Sequence, residues 1–311
     1  MMAHQLVLVE SPSKARKILS IMRNVRSGDK WHVVASFGHL RDLPRDDFGI
    51  NIDKLFEPKW VLTGRPKQRK LILDTAKKVD TIWLATDPDA EGEAIAWHLH
   101  EMITGGVKNL AAQIKRIEFS ELTVKAITEA FDNPREINGK RVEAAIARRL
   151  LDRIVGYSIS PLLWRDFNPG DTRSNLSAGR VQSAVLEWLT KREEEIRDFS
   201  PEPFWKLQAE INTPAGSFSR SGERRSATKK EAAAQCKKLK RSPNPDGVTY
   251  EERTLKPPPP FTTSSLMQSA SAVYGFTSDR TMKLAQTLFE RGLITYHRTE
   301  SIRPTWGFIM S

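Results

Sequence analysis

The chain has 311 residues, of which 39% are hydrophobic and 28% are charged. This composition is typical of a globular protein that is long enough for two or more domains. No stretch approaches the roughly 18 apolar residues of a membrane-spanning helix, and the first residues lead directly into a strand-like segment, so we predict neither a membrane span nor a signal peptide. The formal net charge of +11 favours a polyanionic partner, with nucleic acid as the first candidate.

A single cysteine, Cys236, excludes an internal disulfide and a cysteine-rich zinc site. This cysteine usage indicates a reducing compartment, and we predict a cytoplasmic protein. No internal repeat is visible, so a repeat architecture is not predicted.

The first 125 residues alternate between strand-like and helical patterns. Residues 6–9 form a short apolar run that ends at Glu10, where Ser11 and Pro12 are typical of a helix N-cap and a first helical position. We predict a helix through about Met22 and a second strand over residues 31–36. Residues 41–67 contain scattered Pro, Gly and Asp and are predicted to be irregular.

The apolar run over residues 81–86 predicts a strand that is buried on both faces. Asp87-Pro88-Asp89 ends this strand, and a further strand is predicted over residues 113–119. The helix between the two strands has an apolar face made of Ile95, Leu99, Met102 and Ile103. This order of elements predicts a doubly wound α/β domain with a parallel sheet.

The second half of the chain is predicted to be mostly helical. A helix over residues 138–165 has apolar side chains four positions apart, and another covers about residues 179–197. Residues 203–256 are polar and partly strand-like, with a basic patch at 220–230, and a stiff proline spacer follows at 257–260. Two short helices, over about residues 263–274 and 278–291, end at Gly275 and Gly292.

Acidic side chains stand where two of the predicted strands end. Asp87, Asp89 and Glu91 follow the buried strand, and Glu10 follows the first strand. If the two strands are neighbours, the four carboxylates converge on one crevice, and a divalent cation such as Mg²⁺ would neutralise them. The alternative is an acidic helix N-terminus stabilised by the helix dipole; the matching Glu10 favours the cation site. Lys14, four residues after Glu10, either contacts a phosphate or is a solvated surface lysine.

These and later motifs resemble the type IA DNA topoisomerases of bacteria. LVLVESPSKARKI (6–18), SFGHLRDLP (36–44) and LATDPDAEGEAIAWHL (84–99) are similar to the toprim domain of that family. RRLLDRIVGYSISPLLW (148–164), LSAGRVQS (176–183) and the segment over residues 260–301 resemble it in the same order. The resemblance implies an α/β toprim domain with a Rossmann-like parallel sheet, followed by mostly α, α+β core segments.

The resemblance also implies roles for particular residues. Tyr296 matches the nucleophile, Arg298 matches an arginine that supports the tyrosine and the scissile phosphate, and Lys14 matches a lysine that serves the phosphate or the leaving sugar hydroxyl. Glu10 and Asp87 match the Mg²⁺ ligands, with Asp89 and Glu91 beside them. The positions that match DNA-contacting residues are His39, Arg148, Arg149, Asp152, Tyr157, Trp164, Ser177, Ala178, Gly179 and Arg180.

The implied reaction is single-strand cleavage through a 5′-phosphotyrosine, strand passage and religation, which relaxes negatively supercoiled DNA. It needs no ATP, and the sequence has no P-loop motif. The family further implies single-stranded segments of DNA as the partner, a monomer, and a place at the cytoplasmic nucleoid.

Apart from the resemblance, the residues leave alternatives open. Arg148 and Arg149 place cations along a helix where a phosphate backbone could run, but Arg148 could equally pair with Asp152. Tyr157 and Trp164 offer faces on which bases stack, although such residues are more often part of a core. Nothing in the sequence alone marks Tyr296 as a nucleophile or His39 as a DNA contact.

The sequence departs from the family at two places. The acidic motif of the family usually reads DPDREGE, and here Ala90 replaces the arginine, so we expect altered metal dependence and cleavage unless Arg41 or another cation substitutes. The family continues well beyond the point where residues 302–311 stop matching it, so we expect a truncated chain that is impaired in full relaxation.

Five segments are predicted, and two other functions compete with an active topoisomerase. The segments are a toprim domain (1–125), a helical groove segment (126–200), an arch segment (201–260), a nucleophile-bearing domain (261–301) and a non-matching tail (302–311). One competing function is a non-catalytic DNA-binding remnant of the family. The other, a toprim primase or nuclease, has no use for residues 148–301.

Overall fold

The computed structural model describes residues 2–167, 176–213, 216–239 and 252–303. The chain divides into two compact units, one made of residues up to Arg180 together with those from Pro258 onward, the other of Val181–Pro257. The five segment boundaries predicted from the sequence stay predictions. In the described ranges, no helix combines the length and the apolar character needed to cross a membrane.

The first unit begins with alternating strands and helices and ends with helices. Two-residue strands occupy the region before its second helix. In chain order the elements are β1 (His4–Val9), α1 (Pro12–Val25), β2 (Lys30–Ala35), β3 (Arg41–Asp42), β4 (Ile50–Asn51), β5 (Glu57–Pro58), β6 (Val61–Leu62), α2 (Pro66–Ala76), β7 (Thr81–Leu84), α3 (Ala90–Gly106), β8 (Gln113–Arg116), α4 (Val124–Asp132) and α5 (Gly139–Phe167).

The second unit contains most of α6 (Arg180–Asp198), then β9 (Trp205–Thr213), β10 (Gly216–Ser226) and α7 (Lys229–Leu239). β9 and β10 form an antiparallel pair, and the register shifts between Ser221 and Arg225. The first unit resumes with α8 (Thr263–Tyr274) and α9 (Ser278–Glu290).

A four-stranded parallel sheet in the order β2-β1-β7-β8 forms the centre of the first unit. Side chains alternate between its two faces because successive residues of a strand point in opposite directions. Val7 and Val9 pack into one core cluster with α1 and α4, while Leu6 and Leu8 pack into another with α2 and α3. This doubly wound α/β arrangement confirms the predicted fold class.

The helices that were predicted from the sequence begin close to the expected residues. The Ser11 hydroxyl accepts a hydrogen bond of 3.3 Å from the Lys14 N–H at the start of α1, and Pro12 is the first helical residue. Thr262 and Ser265 form a capping box at the start of α8. Gly275 ends that helix with φ of 65°, the left-handed conformation that glycine adopts without strain.

Three predictions of secondary structure need correction. Residues 41–67 are not wholly irregular, because β3 pairs with β6 and β4 with β5, and α2 begins at Pro66. The strand predicted over residues 113–119 ends earlier, at Arg116, whose side chain turns into the interior. Helices α2, α4 and α7 were not predicted; each is 11 residues or shorter and lacks the long apolar stripe that identified α3.

The turn between β7 and α3 requires a glycine. Gly92 lies in the first turn of α3, where an added Cβ would overlap the Asp87 carbonyl oxygen and lie 2.8 Å from the Asp87 nitrogen. The Thr86 hydroxyl donates a hydrogen bond of 2.6 Å to the Gly92 carbonyl, which holds the two ends of the turn together. The backbone of Asp87 therefore depends on the absence of a side chain at position 92.

We predict that Gly92→Ala displaces the turn and destabilises the chain by about 1–3 kcal/mol, the usual cost of overpacking. Gly105→Ala, in the same helix with nothing within 4 Å of the added Cβ, is the matched control and should stabilise the helix by about 0.5–1 kcal/mol. Urea unfolding of both variants measures the difference. Equal stability of the two variants would contradict the close packing of Gly92 on Asp87.

An aromatic cluster buries the imidazole of His98, a residue of α3. The His98 ring lies 4.6 Å from Trp60, 4.7 Å from Trp97 and 5.6 Å from His39, between ring centroids. Burial, followed by the charges of His39 and Arg41, lowers the pKa of His98 to about 3, against a weaker opposing effect of Asp42. The imidazole is therefore neutral in the folded chain at physiological pH.

We predict that His98 makes the fold acid-sensitive. Its folded pKa lies below the unfolded value, so its contribution to stability is complete above about pH 6.5 and is lost as the pH falls toward 3. From pH 7 to pH 5 the free energy of unfolding should fall by about 2 kcal/mol more in the parent chain than in His98→Gln. Denaturant titrations at both pH values measure this, and parallel pH profiles would contradict it.

Candidate active site and nucleic-acid groove

The acidic residues after β1 and β7 meet because the two strands are parallel neighbours. Glu10 accepts a hydrogen bond of 3.0 Å from the Asp87 N–H through Oε1. The Lys14 ammonium contacts the Asp87 carboxylate directly and lies 4.0 Å from Glu10 Oε2. Lys14 is completely buried, so its interpretation as a solvated surface lysine is wrong.

The electrostatics of Glu10 and Asp87 favour a positive charge between the ends of β1 and β7. Burial and the charge of Asp87 together raise the pKa of Glu10 to about 8, although the charge of Lys14 partly offsets them. Two carboxylates this close repel each other unless a cation neutralises them. In the described structure, Lys14 is the cation that does so.

Asp89 and Glu91 contact the chain's carboxyl-terminal segment. Asp89 caps α3, accepting a hydrogen bond of 2.7 Å from the Gly92 N–H, and also accepts one of 2.5 Å from the Tyr296 hydroxyl. Arg298 Nη1 lies 3.4 Å from Asp89 Oδ2 and 3.2 Å from Glu91 Oε2. Asp89 thus fits both interpretations of the acidic motif, as a helix cap and as part of a site.

All four acids line one cleft of about 490 Å³, together with residues of α9, His297 and Arg298. Within the described ranges, however, no three His, Cys, Asp or Glu side chains are arranged to hold one metal ion. Glu10 and Asp87 are adjacent, whereas Asp89 and Glu91 contact Tyr296 and Arg298. A site in which all four carboxylates bind a single cation therefore stays a prediction.

Tyr296 has an apolar ring environment and a polar hydroxyl environment. Its ring packs against Phe289 with centroids 5.1 Å apart, and its N–H donates a hydrogen bond of 2.7 Å to the Ser120 carbonyl. Only 6% of the residue is exposed. Burial, the hydrogen bond to Asp89 and the charges of Asp87 and Asp89 raise the pKa of Tyr296 above its ordinary value. The phenol is therefore neutral in this arrangement.

Several residues at this site were not predicted. His297 is buried, lines the cleft, and has a ring nitrogen, Nδ1, without a hydrogen-bond partner among the described residues. Glu93 and Arg116 form a completely buried ion pair beneath the acidic turn, with Nε and Oε2 3.2 Å apart. Burial alone would raise the pKa of Glu93, but hydrogen bonds from Arg135 and the Asn138 N–H, with the charges of Arg116 and Arg135, lower it to about 2.

A second cavity, of about 370 Å³, lies between α3 and α5. Its lining includes His39, Ala90, Arg148, Arg149 and Asp152, which brings together most of the predicted DNA-contacting residues of this helix. Asp152 forms a two-point ion pair with Arg180, at 2.6 and 2.9 Å, rather than the pair with Arg148 that the spacing allowed. Arg149 pairs in the same way with Asp42, at 3.0 and 2.6 Å.

The aromatic residues of α5 are not core residues. Tyr157 is 43% exposed and Trp164 47% exposed, and each fixes its polar atom on a backbone carbonyl, that of Arg45 at 2.5 Å and that of Leu176 at 2.6 Å. Their rings are therefore oriented and partly open to solvent. Arg153 is buried, donates to the Pro44 and Asp47 carbonyls and stacks on Tyr157, so it is not a cation of the groove.

The loop before α6 is held against α5. The Ala178 N–H donates a hydrogen bond of 3.0 Å to the buried Ser160 hydroxyl, and the Ala178 carbonyl lies close to Gly156. Ser177 and Gly179 flank this contact, and Arg180 is fixed by Asp152. The predicted DNA-binding loop therefore lies beside the predicted groove helix. His39, half-buried and packed on His98, lies on the α3 side of the cavity.

Comparisons with known proteins identify the family to which the chain is similar. One family model, the Toprim domain, matches residues 5–122, and a second, described as DNA topoisomerase, matches residues 136–306. DNA topoisomerase 1 of Thermotoga maritima is 40% identical over 311 aligned residues, covering 96% of this chain and 45% of that protein.

The structure of full-length topoisomerase I from Thermotoga maritima, in a monoclinic crystal form, has a TM-score of 0.76 at 39% identity and covers 97% of this chain and 50% of that one. The chain spans about half the length of the relatives it matches. The two family models together cover most of the chain, the Toprim domain over the parallel sheet and the DNA topoisomerase model over the segment that follows it. The chain belongs to the type IA family of DNA topoisomerases.

Proposed function

We propose that this chain breaks one DNA strand through Tyr296, retains the 5′-phosphate as a phosphotyrosine, and reseals the strand after another has passed. The observation that carries the proposal is the hydrogen bond of 2.5 Å between the Tyr296 hydroxyl and Asp89. It brings a phenol to an acidic strand end that lies 207 positions away in the sequence. The remaining acids and Arg298 line the same cleft.

The proposed reaction is a balanced exchange of ester bonds. The Tyr296 oxygen attacks phosphorus, the bond to the 3′-oxygen breaks, and the 3′-hydroxyl leaves with a proton. Asp89 already accepts the phenol's hydrogen bond and is placed to take its proton, while Arg298 offsets charge on the phosphoryl oxygens. Lys14, whose ammonium contacts Asp87, serves the phosphate or the leaving hydroxyl. No nucleotide cofactor is required, since the phosphotyrosine conserves the bond energy.

The donors at the cleft fit a hard divalent cation, for which we propose Mg²⁺. Glu10 and Asp87 offer adjacent carboxylate oxygens, and burial together with the negative charge of Asp87 raises the pKa of Glu10. Glu10 and Asp87 would hold the ion, with Asp89 and Glu91 nearby. When bound, the ion supplies positive charge next to the scissile phosphate.

Single-stranded segments of negatively supercoiled DNA are the proposed substrate. Arg148 and Arg149 line the groove cavity, and the half-exposed rings of Tyr157 and Trp164 offer stacking faces along the same helix. Ser177, Ala178, Gly179 and Arg180 form the adjoining loop. The oligomeric state and the cellular location stay predictions, namely a monomer at the cytoplasmic nucleoid.

We predict that the chain forms a covalent adduct with single-stranded DNA in the presence of Mg²⁺, and that Tyr296→Phe abolishes it because the attacking oxygen is gone. An oligonucleotide labelled at its 3′ end should migrate with the protein on a denaturing gel, whereas a 5′ label should be released. Tyr274→Phe, at an exposed tyrosine of α8, is the matched control and should retain the adduct. An adduct that survives in Tyr296→Phe would refute the proposal.

A non-catalytic DNA-binding protein is the second candidate. Two observations favour it, namely Ala90 in place of the family's arginine and the buried, neutral phenol of Tyr296. The adduct experiment separates the two candidates, because the second predicts Mg²⁺-independent binding of the oligonucleotide and no adduct.

We predict that Ala90→Arg raises the adduct yield several-fold and lowers the Mg²⁺ concentration that it requires. Ala90 is exposed and lines the groove cavity, whereas Arg41 lies over the Trp97 ring at 5.5 Å and does not line it. Ala144→Arg adds a cation from the α5 side of the same cavity and is the control, expected to strengthen DNA binding without raising cleavage per bound strand. An Ala90→Arg variant that cleaves as the parent does would contradict this expectation.

A further inference from the structure

Arg116, the last residue of β8, reaches beneath the acidic turn. It is 1% exposed. Its Nη1 donates hydrogen bonds to the Leu84 carbonyl at 3.0 Å and the Thr86 carbonyl at 2.9 Å, and its Nη2 donates to the Asp87 carbonyl at 2.9 Å. These carbonyls belong to the segment that leads from β7 into the turn. One guanidinium therefore fixes the backbone on which Asp87 is carried.

A buried cation needs a counter-charge, and Glu93 supplies it. Glu93 accepts a hydrogen bond from Arg116 Nε and two from Arg135, at 2.7 and 2.6 Å. The Asn138 N–H donates a further one at 2.6 Å. Glu93 thus has two arginine partners, but only Arg116 also contacts the acidic turn. Arg135 instead pairs with Glu118 at the other end of the network.

The backbone of Asp87 is held at both of its polar groups. Its N–H donates to Glu10, and its carbonyl accepts from Arg116. Gly92 packs against the same peptide, where no side chain fits. With both backbone groups occupied, the carboxylate is the part of Asp87 that lines the cleft. The direction of that carboxylate depends on the contacts that Arg116 makes below it.

We propose that Arg116 is a positioning residue for the cation site, acting on Asp87 through the backbone carbonyls of the turn. The inference rests on the proposed cation site of Glu10 and Asp87. A planar guanidinium with several fixed donors reaches the three carbonyls of this segment, the Ile117 carbonyl and one carboxylate together, which the compact ammonium of a lysine does not. Arg116→Lys therefore keeps the buried charge and removes the alignment of the turn.

The test uses the full chain and Mn²⁺ as the probe ion, with bound Mn²⁺ measured by electron paramagnetic resonance. Arg116→Lys should bind Mn²⁺ roughly tenfold more weakly, as is usual for residues that orient metal ligands. Arg135→Lys is the matched control, since it disturbs the same Glu93 without touching the turn, and its affinity should stay within about twofold of the parent. Asp87→Asn identifies the site and should abolish the Mn²⁺ binding under study.

Unchanged Mn²⁺ affinity in a folded Arg116→Lys chain would overturn the proposal. It would also be overturned if Arg135→Lys weakened Mn²⁺ binding as much as Arg116→Lys does, or if Asp87→Asn bound Mn²⁺ as tightly as the parent chain does. Should Arg116→Lys fail to fold, the double variant Arg116→Met/Glu93→Gln, which removes the cation and its counter-charge together, takes its place with the same expected weakening. A parent chain that binds Mn²⁺ through Asp87 but forms no DNA adduct would refute the proposed function and leave this inference standing.

Discussion

The crowding of Glu10 and Asp87 at the ends of two neighbouring parallel strands is the constraint from which the rest of the site follows. The half-buried Glu10 carboxylate, which accepts a hydrogen bond from the Asp87 N–H, and the buried Asp87 carboxylate require positive charge, and Lys14 provides it in the described structure. A fold that places charges in this way pays in stability, because desolvation of a buried carboxylate is costly. A charged cluster with a perturbed pKa in a cleft is typical of a functional site.

The carboxyl-terminal segment completes the site from the far end of the sequence. The buried side chain of Phe289 anchors α9 in one of the two cores around the sheet, and Tyr296 packs on it, so the phenol reaches the acidic turn through ordinary apolar packing. Arg298 then contacts Asp89 and Glu91. The ring of Tyr296 therefore belongs to the hydrophobic interior, while its hydroxyl contacts Asp89, which lines the reactive cleft.

Much of this could be predicted from the sequence, and the exceptions have physical reasons. The apolar periodicity of α3 and the Ser11-Pro12 helix start depend on local patterns, so they were predictable. The adjacency of β1 and β7 could only be assumed from the sequence, since strand order is set by packing across the sheet. Glu93 and Arg116 could not be predicted from a local pattern, because the two residues lie 23 positions apart and meet only when the chain folds. Tyr157 and Trp164 are exposed although aromatic residues usually favour a core.

A crystal of the chain soaked with Mn²⁺, with the ion located by its anomalous scattering, would show whether Glu10 and Asp87 bind a cation together. We predict one peak within bonding distance of carboxylate oxygens of both Glu10 and Asp87, with the Lys14 ammonium withdrawn from Asp87 and the Tyr296 hydroxyl in the same cleft. A peak elsewhere on the chain, or a metal-saturated crystal in which Lys14 still contacts Asp87 and no ion lies in the cleft, would contradict it.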